Sequence, residues 1–85
     1  MTKLNENAGQ RALEQSKLKT LTELEGYEHF VDMLDAVQDD SCIPGICMNP
    51  DCDATYSYEP DSTSGWCDSC ETNSVKSCMV LAGII

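Results

Sequence analysis

Residues 47–70 read CMNPDCDATYSYEPDSTSGWCDSC and hold four of the six cysteines of this 85-residue chain. Cys47 and Cys52 are separated by four residues, Cys67 and Cys70 by two, and fourteen residues lie between the two pairs. Two thiols spaced this closely can chelate one ion without straining their loop, and the insert is long enough to return as two strands. The spacing therefore predicts a tetrahedral Zn²⁺ site with Cys47, Cys52, Cys67 and Cys70 as its ligands.

Three other uses of these cysteines stay open. Six cysteines allow fifteen full disulfide pairings, although a reducing compartment disfavours them. Four thiolates also suit an iron–sulfur centre. A thioredoxin-type role for the Cys67–Cys70 pair needs a helix N-terminus to lower the thiol pKa, whereas the nearby acids Asp68 and Glu71 are expected to raise it.

Charge limits the partners that this chain suits. It has fifteen acidic residues, five basic residues and a formal net charge of −10, and Lys76 is the sole base after residue 41. A nucleic-acid binder needs Lys and Arg to displace counterions from phosphates. Direct binding to DNA or RNA is therefore disfavoured, and a protein partner with a basic surface is favoured.

No segment suggests a membrane or a secretory route. Residues 1–10 are polar and lack the apolar core of a signal peptide, and the longest apolar stretch, residues 79–85, is far short of the ~20 residues that span a bilayer. We therefore expect a cytoplasmic protein. A chain this short buries a limited core, so a stabilising metal is also expected.

The N-terminal half reads as helical. Residues 8–19 are rich in good helix formers but poor in apolar side chains, and Thr20 with Glu23 forms a capping-box pattern that opens a separate short turn, which Gly26 ends. A second helix is predicted over residues 27–37. Its apolar stripe should pack on the metal module or the preceding turn, or else dock a partner helix, and it consists of Phe30, Met33, Leu34 and Val37.

The C-terminal half reads as strands and loops. Pro44-Gly45 is a turn signal leading into the first cysteine loop, residues 54–59 alternate as a strand, and residues 75–81 read as a further strand. The order of loop, strand, hairpin, strand, loop and strand is that of a zinc ribbon. In zinc ribbons the first cysteine pair usually has two intervening residues, whereas Cys47 and Cys52 have four. The predicted fold is a small α+β chain: a helical N-terminal segment, 1–41, followed by a three-stranded zinc-ribbon module, 42–85.

The remaining reactive side chains suggest no catalytic site. Cys42 and Cys78 are expected to be small buried apolar residues, although either could replace a ligand or pair with the other on oxidation. His29, the single histidine, is expected to be a solvated residue beside Glu28. There is neither a Ser/His/Asp set nor a Gly-rich phosphate loop. We therefore expect a protein that is not an enzyme and has no small-molecule substrate.

Several short segments resemble a group of very short zinc-ribbon proteins encoded by bacteriophages and prophages. They are residues 24–27, 44–52, Tyr56, 59–61, 65–67, Cys70, 72–77 and 80–85. The resemblance covers the C-terminal half and implies a ribbon fold, a zinc ion and a phage setting in a bacterial cytoplasm. It leaves open whether such a protein is a host-takeover factor or a nucleic-acid accessory protein.

These features together predict a non-enzymatic protein-binding module with a structural zinc. Host transcription or replication machinery is the expected class of partner, by analogy. We expect the partner to dock on the aromatic side chains Tyr56, Tyr58 and Trp66, since exposed aromatic patches often mark interfaces. The alternative is a nucleic-acid-binding accessory protein that stacks bases on the same three rings.

Overall fold

The computed structural model describes residues 2–84, with side chains from residue 11 onward. Helices come first and a four-stranded antiparallel sheet follows, which confirms a small α+β chain. The helices are α1 (Thr2–Leu24), α2 (Phe30–Val37) and α3 (Cys78–Leu81), and the strands are β1 (Ile43–Cys47), β2 (Thr55–Tyr58), β3 (Gly65–Cys67) and β4 (Thr72–Ser77). No helix within residues 2–84 is both long and apolar enough to cross a bilayer.

Helix α1 is longer than predicted because it continues through the expected capping box. The Thr20 hydroxyl donates back to the Ser16 carbonyl (3.1 Å) as an interior helical residue does, so the predicted new start at Thr20 is wrong. The predicted end is confirmed. Gly26 has φ +86°, its N–H bonds to the Glu23 carbonyl, and the Tyr27 N–H reaches back to Thr22, the pair of bonds that defines a Schellman cap.

Helix α2 starts later than predicted, at Phe30 rather than residue 27. Met33, Leu34 and Val37 are buried, as the stripe requires. Phe30 is 44% exposed, so its assignment to the packed stripe is wrong. Its side chain lines a groove beside α1 instead of joining the core cluster.

The sheet has four strands, in the order β2-β1-β4-β3, so the expected three-stranded ribbon is not confirmed. Strand β1, which was expected to be a turn and a cysteine loop, pairs with β2 through Ile43–Tyr58 and with β4 through Gly45–Ser77. Strand β2 matches its prediction to within one residue at each end.

The last predicted strand ends four residues early, because the chain turns into α3 after Ser77. The Ser77 hydroxyl accepts a hydrogen bond from the Val80 N–H (3.2 Å), an N-cap that satisfies one free donor of the first helical turn. Cys78 and Leu81 of this short helix then reach the core.

Two apolar clusters hold the elements together. The larger joins all three helices to β1 and consists of Leu18, Leu21, Met33, Leu34, Val37, Ile43, Ile46, Cys78 and Leu81. The smaller surrounds Cys47, Cys67 and Val75, with Tyr56 and Tyr58 packed against it. Because β1 supplies residues to both clusters, it connects the helical part of the chain to the cysteine-rich part.

Candidate metal centre

The four predicted ligands lie at the ends of strands and in the loops that follow. Cys47 is the last residue of β1 and Cys67 the last of β3. The chain then curls back towards each: the Cys52 N–H bonds to the Asn49 carbonyl (2.9 Å), and the Glu71 N–H bonds to the Cys67 carbonyl (2.7 Å). Two short loops thus present one cysteine pair each.

The four sulfur atoms converge on one point. All lie within 4.8 Å of one another, with Cys47 and Cys70 3.7 Å apart and Cys52 and Cys67 3.9 Å apart. Four sulfurs at a metal–sulfur distance of about 2.3 Å in a tetrahedron would be about 3.8 Å apart. The sulfurs are too far apart for disulfides, which need about 2.05 Å. The geometry fits one tetrahedral metal ion.

The cluster is closed on the side of the sheet. Cys47 and Cys67 are fully buried, while Cys52 and Cys70 are partly buried. Neither remaining cysteine joins them. Cys78 is buried in the larger core, as predicted, but Cys42 is exposed and its predicted burial is wrong, because it precedes β1 outside the packed sheet.

Polar groups that the sequence did not reveal surround the sulfurs. The Asn49 amide donates to Cys70 Sγ (3.5 Å), the Ser74 hydroxyl lies 3.1 Å from Cys47 Sγ, and the Tyr56 hydroxyl lies 3.5 Å from Cys67 Sγ. Such donors stabilise thiolates and orient them towards a metal. Asn49 lies in the first cysteine loop but bonds to Cys70 of the second, and the sheet brings in Ser74 and Tyr56, so none of the three contacts had a local signal in the sequence.

Hydrogen bonding gives the thiols different proton affinities. Burial would raise the pKa of Cys67, but hydrogen bonds from the Tyr56 hydroxyl, the Cys70 backbone and two thiols outweigh it and lower the pKa from 9.0 to about 6. The Cys52 thiol, followed by burial, raises the pKa of Cys70 to about 12. The same contact with Cys67 raises the pKa of the Tyr56 hydroxyl, which therefore keeps its proton to donate.

The thioredoxin-type interpretation gains no support from this arrangement. Cys67 ends β3 and Cys70 lies in the turn that leads into β4, so neither is at a helix N-terminus. The expectation that both thiols would have raised pKa values is wrong for Cys67, because hydrogen bonds to its sulfur outweigh its burial. For Cys70 the direction is right, but the cause is the neighbouring thiol rather than the acids.

The three aromatic residues proposed as a docking surface have different environments. Tyr56 and Tyr58 are half-buried, with ring centroids 6.1 Å apart, and pack against the cysteine cluster. Their hydroxyls are engaged, that of Tyr56 by the Asp68 N–H (3.0 Å) and that of Tyr58 by the Trp66 carbonyl. Trp66 is 45% exposed on the edge strand β3. Of the three, Trp66 offers the most accessible ring.

A groove of about 850 Å³ lies away from the metal centre, between α1, α3 and the segment that precedes α2. Leu18, Tyr27 and Leu81 contribute apolar walls, and the exposed Phe30 lies at its edge. His29, which also lines it, is exposed as predicted. The groove is the second surface of this chain with accessible aromatic area.

Comparison with known protein families, with curated proteins and with solved structures finds no significant match. The function therefore has to be inferred from the geometry of the site.

Acid should release the metal from this centre. Metal binding needs thiolates, and Cys70, whose pKa is raised to about 12, would have to lose its proton to bind a metal. Lowering the pH from about 8 to about 6 should therefore weaken Zn²⁺ binding, by about tenfold per pH unit for each proton released. A chelator competition at several pH values measures the slope. A pH-independent dissociation constant would contradict this, and Cys42→Ser should leave the slope unchanged.

Proposed function

We propose that this chain is a non-enzymatic protein-binding module built around a structural zinc ion. The observation that carries the proposal is the set of four cysteine sulfurs within 4.8 Å of one another. Four thiolates complete the tetrahedral shell of Zn²⁺ and leave no position for a substrate or an activated water. Such a shell stabilises a fold and does not catalyse a reaction.

We propose zinc rather than iron because a small chain needs a metal that stabilises the fold. Both ions accept four thiolates at similar distances. An 85-residue chain with a small core gains stability from zinc without redox chemistry. Elemental analysis and the absence of visible absorption in purified protein test this choice, since an iron centre would be coloured.

The partner is proposed to be a protein with a basic surface. The formal charge of −10 becomes more negative when four thiolates bind one divalent ion, because that unit carries about −2. Within residues 11–84, Lys17 is buried and Lys76 pairs with Glu14 (3.0 Å), so Arg11 and Lys19 are the exposed cations there. An acidic surface of this kind steers a protein towards a basic partner.

Trp66 is proposed as the centre of the docking surface, with Tyr56 and Tyr58 supporting it from the cysteine cluster. Tryptophan is enriched among the residues that dominate binding energy, and this ring is 45% exposed on an edge strand. The resemblance to phage-encoded zinc ribbons suggests that the partner belongs to bacterial transcription or replication machinery, inside the host cytoplasm. That suggestion is an analogy.

The second candidate, a nucleic-acid-binding accessory protein, rests on the same exposed ring. Base stacking on an aromatic side chain contributes about 1–3 kcal/mol per base. It also needs cations along the backbone path, and the sheet that carries the aromatic residues has a single basic residue, Lys76, which is already paired. The acidic chain therefore favours the protein partner.

One experiment tests whether a partner docks at Trp66 or at the groove. Tagged wild-type protein, Trp66→Ala and Phe30→Ala are expressed in bacteria, and captured proteins are identified by mass spectrometry. The two variants remove rings of nearly equal exposure from different surfaces. We expect Trp66→Ala to lose a partner that Phe30→Ala retains. The reverse result would move docking to the groove, and capture unaffected by either would refute both surfaces.

A parallel titration tests the nucleic-acid function. Fluorescence anisotropy with labelled single-stranded and duplex DNA and RNA should show no binding at physiological salt, because the acidic surface repels phosphates. Affinity that falls steeply as salt rises, and that Trp66→Ala abolishes, would replace the protein-binding proposal with the nucleic-acid one.

A further inference from the structure

A buried lysine of α1 contacts the first cysteine loop. Lys17 is 3% exposed, and its ammonium donates to the carbonyls of Asn49 (2.7 Å) and Cys52 (2.5 Å) and to Asp53 Oδ1 (3.1 Å). Three donors meet three acceptors, so the cation is satisfied. The contact joins residues more than thirty positions apart in sequence.

The two carbonyls belong to the loop that carries Cys47 and Cys52. The Asn49 carbonyl also accepts the Cys52 N–H, so the bond that closes the loop and the bond to Lys17 converge on one oxygen. Asp53 contributes less, because its side chain is 63% exposed and solvent screens exposed ion pairs. Lys17 therefore binds the loop mainly through the two backbone carbonyls, and less through the Asp53 carboxylate.

Burying an ammonium group costs free energy unless its partners are in place. The carbonyls of Asn49 and Cys52 are in place when the loop is closed, and a metal bound by Cys47 and Cys52 holds it closed. If the loop opened, the Lys17 ammonium would be buried without acceptors. Helix α1 would then undock, because that exposes the ammonium to water.

We propose that Lys17 is a positioning residue that couples metal binding at the four-cysteine site to the docking of α1. The proposal rests on the metal site proposed above and goes beyond it, because it gives the metal a regulatory effect on a helix that contributes no ligand. Metal release would remove the acceptors that hold Lys17, so α1, which forms one wall of the groove, would be docked only in the metal-bound protein.

The chain contains a matched control for this contact. Lys76 on β4 pairs with Glu14, three residues before Lys17 on α1, at 3.0 Å, and both side chains are largely buried. Both lysines thus join α1 to the sheet through ion pairs. The described hydrogen bonds of Lys76 involve neither cysteine loop, so removing it deletes one contact between α1 and the sheet and leaves the contacts between Lys17 and the first cysteine loop in place.

Coupling is reciprocal, so its strength can be measured from the metal side. If metal binding favours the Lys17 contacts, those contacts must favour metal binding by the same factor. Groups that support metal ligands change metal affinity by about 10–100-fold when they are removed. We expect Lys17→Met to raise the Zn²⁺ dissociation constant within that range and Lys76→Met to change it by less than about threefold.

The test measures Zn²⁺ and Co²⁺ dissociation constants by chelator competition for the wild type, Lys17→Met, Lys76→Met and Asp53→Asn. Circular dichroism checks that each variant folds when metal is saturating. Asp53→Asn should resemble Lys76→Met. Equal loss in Lys17→Met and Lys76→Met would show a general destabilisation of the fold and overturn the proposal, as would an unchanged Lys17→Met.

Hydrogen exchange gives a second readout that a merely structural lysine would not alter. Metal should slow backbone exchange in α1 and β1 of the wild type. In Lys17→Met, metal should still slow exchange in β1 but have a smaller effect on α1. Equal slowing of α1 in both proteins would overturn the coupling. If Lys17→Met does not fold, Lys17→Arg, which keeps the charge with a different donor geometry, replaces it and should show the same separation.

The two proposals fail differently. A wild type that binds neither ion refutes the metal site, and the coupling falls with it. A wild type that binds tightly, beside a Lys17→Met variant of equal affinity, refutes the coupling alone.

Discussion

Replacing Cys47 by serine should unfold the whole chain rather than its C-terminal half alone. A structural zinc contributes about 10–16 kcal/mol of apparent binding free energy in small zinc modules, whereas domains of this size have a net stability of about 5–15 kcal/mol. Cys47 ends β1, and β1 also supplies Ile43 and Ile46 to the core that holds the helices. Far-UV circular dichroism should therefore show loss of helix as well as strand, and excess chelator should reproduce the change in the wild type.

Cys42→Ser is the matched control for this substitution. It makes the same chemical change five residues away, at an exposed cysteine outside the sulfur cluster. Its melting temperature and metal affinity should equal those of the wild type. If Cys47→Ser melted as the wild type does, the four cysteines would not hold a metal that stabilises the fold. Selective loss of the strands, with helical signal kept, would show that the two clusters fold independently.

Replacing Leu21 by alanine should cost about 2–5 kcal/mol, the range for deleting a buried leucine side chain. Leu21 is completely buried, and it belongs to the cluster that joins α1 to α2, β1 and α3. The cavity would lie where the three helices meet, so repacking could not fill it cheaply. Thermal unfolding of the metal-loaded protein, followed by circular dichroism, measures the loss.

Leu24→Ala makes the same change one turn further along α1. Leu24 is 57% exposed, so its truncation should alter the free energy of unfolding by less than about 0.5 kcal/mol. Equal effects at the two positions would mean that α1 does not pack as described. A destabilised Leu21→Ala beside a neutral Leu24→Ala would establish that the N-terminal helix is part of the folded core.

The cysteine quartet was predictable because its information is local. Two thiols a few residues apart can share an ion whatever the rest of the chain does, and the fourteen-residue insert had few ways to bring the pairs together. The structure places Cys47, Cys52, Cys67 and Cys70 together as the spacing required. Strand β2 was equally readable, since its alternation of Thr55, Tyr56, Ser57 and Tyr58 is a short-range pattern.

Strand β1 was missed because its local signals favoured a turn. Pro44 and Gly45 are both poor strand residues. The structure uses them because Gly45 lies against β4, where an added Cβ would meet the Lys76 carbonyl oxygen at 2.9 Å. That requirement comes from a strand about thirty residues away, so the residues around Gly45 in the sequence carry no sign of it.

The packing of α1 against the core and the first cysteine loop was missed for a similar reason. Its apolar side chains are few, so its sequence resembles a solvated helix, yet Leu18 and Leu21 are buried and Lys17 bonds to a distant loop. A lysine normally predicts solvent exposure. Its burial here depends on carbonyl groups whose positions are set by the cysteine loop, and no residue near Lys17 in the sequence indicates that contact.

For the aromatic residues, the face of the strand could be predicted from the sequence, but individual side-chain contacts could not. Alternation correctly placed Tyr56 and Tyr58 on one face of β2, but it could not show that the Tyr56 hydroxyl would reach Cys67 Sγ. That contact makes Tyr56 a neighbour of the metal centre as well as a predicted docking residue. Docking at Tyr56, Tyr58 and Trp66 stays a prediction.

Native mass spectrometry of protein purified under reducing conditions tests whether the four cysteines hold a metal ion. We expect one divalent metal ion per chain, with mass matching zinc, and two cysteines, Cys42 and Cys78, outside the metal shell. Under native conditions, alkylation should modify the exposed Cys42 and spare the four ligands until a chelator is added. A metal-free chain in which Cys47, Cys52, Cys67 and Cys70 are alkylated as fast as Cys42 would show that these four cysteines hold no metal.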